Sequence, residues 1–285
     1  MIQLLLAATI LLAGAQGNAD AQLLGRFAIP HDDDIYGGFS AIHIGDDGAS
    51  MIALSDRDGF VTGQISRDGE GRITQIAVQG PFPVKGYSPT PPQGTEDSEG
   101  IAVAPDGTIY ISFEKDNRIG RFASVTSREE IIPKSRDFVE LPYNEGLEAL
   151  AIDAEGALYT IPERSRRRAD PFPVFRYHDG TWDVPYAIPR SDGYLAVGAD
   201  FGPDGRLYLL ERNFSGFAFY TRVRRIDLDA GTAETILETG FGVHGNLEGI
   251  SVWENAAGET IMTLIADNNF RRILTNEIAE YRIDG

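Results

Sequence analysis

Apolar and polar residues alternate along much of this chain in short segments that are separated by tight turns. The clearest segment, SEGIAVAPDGTIYISFEKD, starts at Ser98 and has the pattern of a strand, a turn and a second strand. Its turn, Pro105-Asp106-Gly107, contains residue types that suit a hairpin. The pattern predicts antiparallel hairpins rather than helices.

The hairpin pattern recurs about every fifty residues, which indicates an internal repeat. Related segments are FSAIHIGDDG, LEALAIDAEG, GADFGPDGRL and LEGISVWENAAG. Further strands follow, with RIGRFA as a third strand and RITQIAVQ, DFVELP and ETILETG as fourth strands. Four antiparallel strands form one blade of a β-propeller, a ring that leaves only short protected edges.

Five copies of the repeat predict an all-β protein, a five-bladed β-propeller that occupies residues 22–285 as a single domain. The last copy ends after ILTNEIAEYRI with only a third strand, and LLGRFAIP at residues 23–30 can add the fourth and close the ring. Six blades are the alternative, if a divergent blade lies in residues 66–98 or 165–198. The Pro- and Gly-rich stretch 86–97 is predicted to be a loop over one mouth of the ring.

The composition fits this fold, because 285 residues with 42% hydrophobic content are enough for one large core. Residues 1–21 contain an apolar run followed by small residues and are predicted to be a signal peptide that is cleaved after Ala21. The run is shorter than the roughly 20 residues of a membrane span. We therefore expect a periplasmic or secreted protein with no membrane span in the mature chain.

The net charge of −18 repels nucleic acid and anionic membranes and favours cations. The chain contains no cysteine, so its stability depends on packing or on bound ions rather than on disulfides. We expect a monomer whose partner is a small molecule.

Acidic residues recur where the first strand of a blade begins, and in a propeller that strand lines the central channel. Repetition and closure therefore turn one acid per blade into a ring at one mouth. Ca²⁺ suits such a ring, because it accepts six to eight oxygen ligands in loose geometry. The predicted ligands are Glu99, Glu148, Asp200, Glu248, Asp267 and Asn268. Zinc is less suitable, since cysteine is absent and the four histidines are scattered.

The candidate catalytic residues are Glu99, Glu148, Glu248 and His244, and the candidate substrate-binding residues are Arg57, Arg164, Arg212 and Arg271. Each has a simpler structural interpretation. An acid before glycine can cap a turn, acid–arginine pairs at strand ends can be salt bridges between blades, and a single loop histidine is often only solvated.

The segments DSEGIAV, EGLEALAID, NLEGISVW and ADNNF resemble the phytase-like family, which is described by an esterase-like activity of phytase. The resemblance extends over about residues 25–282. It implies an exported propeller that hydrolyses ester bonds, including phosphate esters, with calcium. The matching positions are Glu99, Glu148, Glu248, Asp267, Asn268 and Asn269.

The leading hypothesis is therefore metal-assisted hydrolysis of a small-molecule ester or phosphate ester. The chain lacks a G-x-S-x-G nucleophile elbow, which argues against a serine esterase of the α/β-hydrolase type. A lactonase of the gluconolactonase type is one alternative. A periplasmic binding or scaffold propeller with a structural ion is the other.

Overall fold

The computed structural model describes residues 20–29, 37–57, 59–87, 97–167, 169–268 and 276–284. These residues form five antiparallel sheets of four strands each. The first strands of consecutive sheets contact one another, and the fifth contacts the first, so the sheets form a closed ring. The prediction of a five-bladed propeller is confirmed, and no sixth blade lies among the described residues.

The four blades that are continuous in sequence have their strands in chain order. Blade 1 contains β2 (Phe39–Ile44), β3 (Ser50–Ser55), β4 (Gly59–Arg67) and β5 (Ile73–Pro83). Blade 2 contains β6 (Ser98–Val103), β7 (Ile109–Phe113), β8 (Arg118–Phe122) and β9 (Glu130–Ile131). Blade 3 contains β10 (Leu147–Ile152), β11 (Leu158–Pro162), β12 (Phe172–His178) and β13 (Thr181–Ile188). Blade 4 contains β14 (Leu195–Phe201), β15 (Leu207–Phe214), β16 (Phe219–Asp227) and β17 (Thr232–Glu238).

Blade 5 is built from both ends of the chain, as predicted. It contains β18 (Asn246–Glu254), β19 (Thr260–Asp267) and β20 (Glu277–Ile283), and the N-terminal strand β1 (Ala21–Ala28) pairs with β20. The Arg26 side chain donates to Glu277 with an Nε–Oε2 distance of 2.7 Å. The ladder continues to Asp20, whose carbonyl accepts from Asp284 N at 2.9 Å, so it begins before the predicted cleavage site. Residues 1–19 of the predicted signal peptide lie outside the described residues.

The fourth strand of blade 2 differs from the prediction. The segment DFVELP, predicted to be a strand, lies in a 3₁₀ helix, α1 (Arg136–Glu140), and the fourth strand is the two-residue β9. Ser135 caps this helix by accepting from Asp137 N. Phe138 is buried and packs edge-on against Phe175 and Trp182 of blade 3. Tertiary packing of one aromatic side chain therefore decides the local structure.

The hydrophobic core lies between neighbouring blades. Trp253 of blade 5, for example, packs with the buried Ile42 and Ile44 of blade 1. Gly48 of blade 1 leaves room for the same indole, because a Cβ there would lie 2.5 Å from Trp253. No helical segment among the described residues has the length and apolarity of a membrane span. Most of the predicted mouth loop, residues 88–96, lies outside the described residues.

Candidate functional site

The first strand of every blade carries a β-bulge at the same place, near the end that faces the channel mouth. A bulge adds one unpaired residue and redirects its side chain. The bulged residues are Ser40, Glu99, Glu148, Val197 and Glu248. Three of these five residues are acids, at half-buried sites, and all three were predicted. We call these five residues the inner tier.

The residue after each bulge is small because the neighbouring blade passes close to it. A Cβ on Gly100 would lie 2.6 Å from the carbonyl oxygen of Glu148, and a Cβ on Gly249 would lie 2.8 Å from the backbone of Ala41. These contacts are shorter than real Cβ atoms adopt. The recurring Glu-Gly pair therefore has two functions, since the glutamate faces the channel and the glycine allows adjacent blades to pack.

A second tier comes from the end of the second strand of each blade, beside the inner tier. Backbone hydrogen bonds define its register: Asp56 N donates to Gly38 O at 2.7 Å, and Glu163 N donates to Gly146 O at 2.9 Å. The equivalent residues of the five blades are Asp56, Glu114, Glu163, Arg212 and Asp267. Blade 4 therefore contributes an arginine where the other four blades contribute an acid.

Arg212 connects the two tiers across the mouth. Its Nη1 donates to Glu248 Oε1 and, at 2.8 Å, to Asn246 Oδ1, and its Nη2 donates to Glu163 Oε1 at 3.1 Å. One guanidinium thus binds carboxylates from blades 3 and 5 at once. Its planar fork of donors suits this geometry.

The pKa values of these carboxyl groups are raised, and burial is the largest cause. Burial and repulsion from Glu148 and Glu248 hold the pKa of Glu99 well above its usual range. Burial also raises the pKa of Glu248 to about 7, although Arg212 opposes the shift. Burial raises the pKa of Glu114 to about 7 in the same way. A cation at the mouth would reverse these shifts, because it favours the charged carboxylates.

Three acids of blade 2 lie close enough to share one cation. Carboxylate oxygens of Asp97, Glu99 and Glu114 all lie within 4.8 Å of one another. The loop that carries Glu114 has a left-handed backbone at two non-glycine residues, Lys115 with φ 52° and Asn117 with φ 36°. Such strain is typical of functional loops that the surrounding structure holds in place.

A fourth acid nearby lacks the hydrogen bond that a buried oxygen normally has. The Oδ1 atom of Asp56 is buried and has no hydrogen-bond partner in the described part of the chain. Burial and repulsion from Asp267 and Asp97 raise the pKa of Asp56 to about 6. Among the blade 2 acids, the charge of Asp97 contributes to this shift. Oxygen ligands of this kind fit a hard divalent cation such as Ca²⁺.

The structure corrects the prediction for Asp200. The inner-tier residue of blade 4 is Val197, three residues earlier. Asp200 lies toward the opposite end of the same strand, where its carboxylate accepts from Val252 N at 2.8 Å and from Phe201 N at 2.9 Å. It ties blade 4 to blade 5 and is not a ligand at the mouth. Asp200 is the acid near the middle of the interval from Glu148 to Glu248, whereas the interval of eight residues before the turn glycine, as in blades 2 and 3, gives Val197.

The structure places His244 outside the ring of acids. It is buried against the third strand of blade 5, where Nδ1 lies 2.6 Å from Glu277 Oε1 and Nε2 lies 2.5 Å from the hydroxyl of Tyr281. Both ring nitrogens are therefore engaged with β20, away from the channel strand β18. This arrangement supports the ring closure, since Glu277 also binds Arg26 of β1.

The other predicted residues that the structure describes lie around the mouth. Arg57 is exposed, and Arg164 is a rim residue whose Nη1 lies 3.0 Å from Glu145 Oε1. Asp267 is buried and accepts from Asn246 at 3.3 Å, whereas the Asn268 amide oxygen accepts from Gly38 N at 3.2 Å. Arg271 and Asn269 lie outside the described residues. Of the four predicted arginines, the structure brings Arg212 into the ring.

Sequence reasoning missed Asp97 and Glu114. In blade 2 the second strand ends at Phe113 and Glu114 takes the second-tier position, whereas Asp116 lies two residues farther along the chain. In blade 4 the acid Glu211 lies outside the ring, because it is fully buried between Arg222 and Arg224. The second-tier residue lies seven residues after the turn glycine in blades 2, 3 and 4, so the interval from Gly107 gives Glu114.

The fold and the site together define a class: a five-bladed propeller with a ring of buried carboxylates and one arginine at a channel mouth. The family model for the phytase-like proteins, described as "esterase-like activity of phytase", matches residues 35–270. The chain belongs to the phytase-like family. No curated protein matches it.

Several solved propellers are similar in fold. The PQQ-bound aldose sugar dehydrogenase of Streptomyces coelicolor aligns with 95% of this chain and 99% of its own, at 15% identity and a TM-score of 0.52. Regucalcin, a calcium-binding protein from Agrobacterium tumefaciens, aligns with 88% of this chain and 78% of its own, at 14% identity and a TM-score of 0.49. Virginiamycin B lyase from Staphylococcus aureus covers 93% of this chain and 100% of its own, at 11% identity and a TM-score of 0.47. At these identities the similarity concerns the fold alone.

Proposed function

We propose that this protein is an exported, metal-dependent hydrolase of ester bonds and that its active site is the channel mouth. One observation carries the proposal: carboxylate oxygens of Asp97, Glu99 and Glu114 lie within 4.8 Å of one another, beside the other acids of the ring. So many buried acids repel one another unless protons or a cation compensate. Membership of the phytase-like family supports ester hydrolysis as the reaction.

The blade 2 acids are the residues that would hold the cation, with Asp56 as a further candidate ligand because its buried Oδ1 has no hydrogen-bond partner among the described residues. Calcium fits this all-oxygen set, and the absence of cysteine makes zinc less suitable. When bound, such an ion would polarise an ester oxygen and lower the pKa of a nearby water.

Glu248 is the residue that we assign to proton transfer. Its pKa of about 7 suits a group that exchanges protons near neutral pH. The hydrogen bonds from Arg212 and Asn246 both reach Oε1, which fixes the carboxylate and assigns Oε2 to take the proton from water.

Arg212 is the residue that we assign to the substrate. Its guanidinium has the planar arrangement of donors that recognises a phosphate or carboxylate group, and it already faces the mouth. The rim residues Arg57 and Arg164 would reduce the repulsion between an anionic substrate and this acidic surface. Both are too exposed to fix a substrate by themselves.

The proposal is tested with the purified chain and a panel of phosphate monoesters, carboxylic esters and lactones, each with Ca²⁺ or with EDTA. We expect calcium-dependent turnover of at least one ester class. We expect the Glu248→Gln variant to bind calcium and to lose most of that turnover, whereas Glu155→Gln, on the exposed turn at the opposite end of β10, should keep it. Calcium binding without turnover of any ester would overturn the proposal and favour a binding or scaffold propeller.

A further inference from the structure

Blade 4 extends a hairpin beyond the mouth. In blades 1, 2 and 3 the second strand ends before the second-tier residue, and in blade 5 it ends at that residue. In blade 4, β15 continues for two residues past Arg212 to Phe214 and stays paired with β16 throughout. The turn is ordered, since Ser215 N donates to Ala218 O at 3.1 Å. The hairpin therefore projects from the ring at the position of its arginine.

One face of this hairpin is continuous with the site. Residues that are directly opposite in an antiparallel pair, and residues two apart in a strand, point to the same face. Arg212 lies opposite Thr221, and Phe214 lies opposite Phe219. Phe214 and Phe219 therefore share the face of Arg212, two residues farther along the hairpin from the ring of blades. Their rings contact each other, with centroids 4.8 Å apart and a tilt of 34°.

Phe214 and the tip of the hairpin are exposed, and Phe219 is half-buried. Phe214 is 54% exposed, and Phe217 at the tip of the hairpin is 93% exposed. On the opposite face, Tyr220 packs against Phe241 of the next connection, with ring centroids 5.9 Å apart. Exposed apolar clusters on a strongly acidic surface indicate a binding site.

We propose that Phe214 and Phe219 form a subsite for a flat apolar ring of the substrate, so that the enzyme acts on esters with an aryl group. This inference rests on the proposed function, because the ester itself would lie at Arg212. Phenylalanine offers an apolar ring face and no hydrogen-bonding group, which favours an aryl ring over a sugar. The continuity of the face with Arg212 favours a substrate over a separate protein partner.

Turnover provides the first test. The ratio of kcat/KM for benzyl phosphate to that for methyl phosphate, and the same ratio for benzyl and methyl acetate, measure the aryl preference, because the two alcohols are leaving groups of nearly equal acidity. We expect at least one ratio to exceed about 10, and we expect Phe214→Ala to lower it about 3- to 10-fold, the range of an aromatic contact. Tyr220→Ala removes an aromatic ring from the other face of the same hairpin and should leave the ratio unchanged.

Binding provides the second test, because it does not depend on catalysis. Calorimetry compares phenylphosphonate with methylphosphonate in the presence of calcium, for the unchanged chain and for Phe214→Ala, Phe214→Leu and Tyr220→Ala. We expect tighter binding of phenylphosphonate, weakened by both changes at Phe214. A phenyl preference in binding without any turnover would support the subsite and overturn the proposed hydrolase.

Three other outcomes of these experiments would contradict one or both proposals. Turnover with no aryl preference would overturn the aryl subsite and leave the proposed hydrolase intact. Equal effects of Phe214→Ala and Tyr220→Ala would also overturn it, since they would show a general effect of the hairpin rather than of one face. If the protein shows neither turnover of any ester nor binding of either phosphonate, both proposals are overturned.

Discussion

Arg212 of blade 4 and Glu248 of blade 5 form an ion pair at the channel mouth, with Nη1 donating to Oε1. Both side chains are about four-fifths buried, at 19% and 20% exposure. The pair places the arginine of the ring against the group that we assign to proton transfer. It also joins two blades on the side of the mouth that faces the aromatic hairpin.

Removing the arginine should destabilise the protein. Arg212→Met leaves Glu248 and Glu163 without their common partner, and breaking a buried ion pair on one side costs about 3–5 kcal/mol. We expect a loss toward the lower end of that range, because the mouth keeps some contact with solvent. Urea denaturation without metal measures it. The matched change Arg164→Met, at a rim residue whose side chain is 46% exposed, should cost less than about 1 kcal/mol. Equal losses for the two variants would contradict a buried, shared role for Arg212.

Calcium affinity should depend on position rather than on overall charge. Glu99→Gln removes one carboxylate from the cluster with Asp97 and Glu114, and we expect calcium binding to weaken by about tenfold or more. Glu155→Gln removes the same charge from an exposed turn and should not change the affinity. Isothermal titration calorimetry compares the two. Equal weakening would show that only the diffuse field of the acidic surface attracts the ion.

The stability of the metal-free protein should fall as the pH rises from 5 to 7.5. The folded-state pKa values of Asp56, Glu114 and Glu248 are raised to about 6, 7 and 7, mainly by burial. Groups with raised pKa values stabilise the fold below their unfolded pKa, and that stabilisation is lost as the pH rises through the folded value.

Added calcium should therefore raise the melting temperature more at pH 7.5 than at pH 5. At pH 7.5, calcium at 100 times its dissociation constant should contribute about 2.7 kcal/mol, and the same concentration of calcium should contribute less at pH 5. Thermal melts with calcium or EDTA at the two pH values give the comparison, and Glu114→Gln should reduce the pH dependence. A calcium effect of the same size at both pH values would show that these carboxyl groups do not titrate with the site.

The N-terminal strand should be required for closure. Deleting residues 1–28 removes β1, exposes the edge of β20 and removes the bond from Arg26 to Glu277. A chain that begins at Asp20 keeps the strand and is the control. We expect the longer deletion to lower the melting temperature and to cause aggregation in size-exclusion chromatography. Unchanged melting of the longer deletion would contradict the closure.

The glycine after the bulge should not tolerate a methyl group. Gly249→Ala places a Cβ 2.6 Å from the side chain of Ile265 and 2.8 Å from the Ala41 backbone, and overpacking of this kind costs about 1–3 kcal/mol. Gly25→Ala, where no atom lies within 4 Å of the added Cβ, should have little effect. Chemical denaturation measures both. A neutral Gly249→Ala would indicate that the blades move apart easily.

The sequence by itself determined the repeat, the strand order and the closure. Hairpin turns such as Pro105-Asp106-Gly107 and the two-residue period of the strands are local properties, so they are visible in the sequence. The lone third strand at the C-terminus predicted that β1 completes blade 5, and the structure confirms it. The recurring acid followed by a small residue also identified three residues of the inner tier, since Glu99 and Glu248 each precede glycine and Glu148 precedes alanine.

Only the tertiary structure decided which other side chains join them. The acid Asp200 lies near the middle of the interval from Glu148 to Glu248, yet the bulge of blade 4 places the uncharged Val197 at the mouth. The residues of the second tier depend on where each second strand ends. Glu114 and Arg212 therefore lie in the ring, whereas Glu211 is buried away from it. Distances across the channel join different blades, and no local pattern in the sequence encodes them. The contact of Arg212 with Glu248 and Glu163 exists because five blades close around one axis.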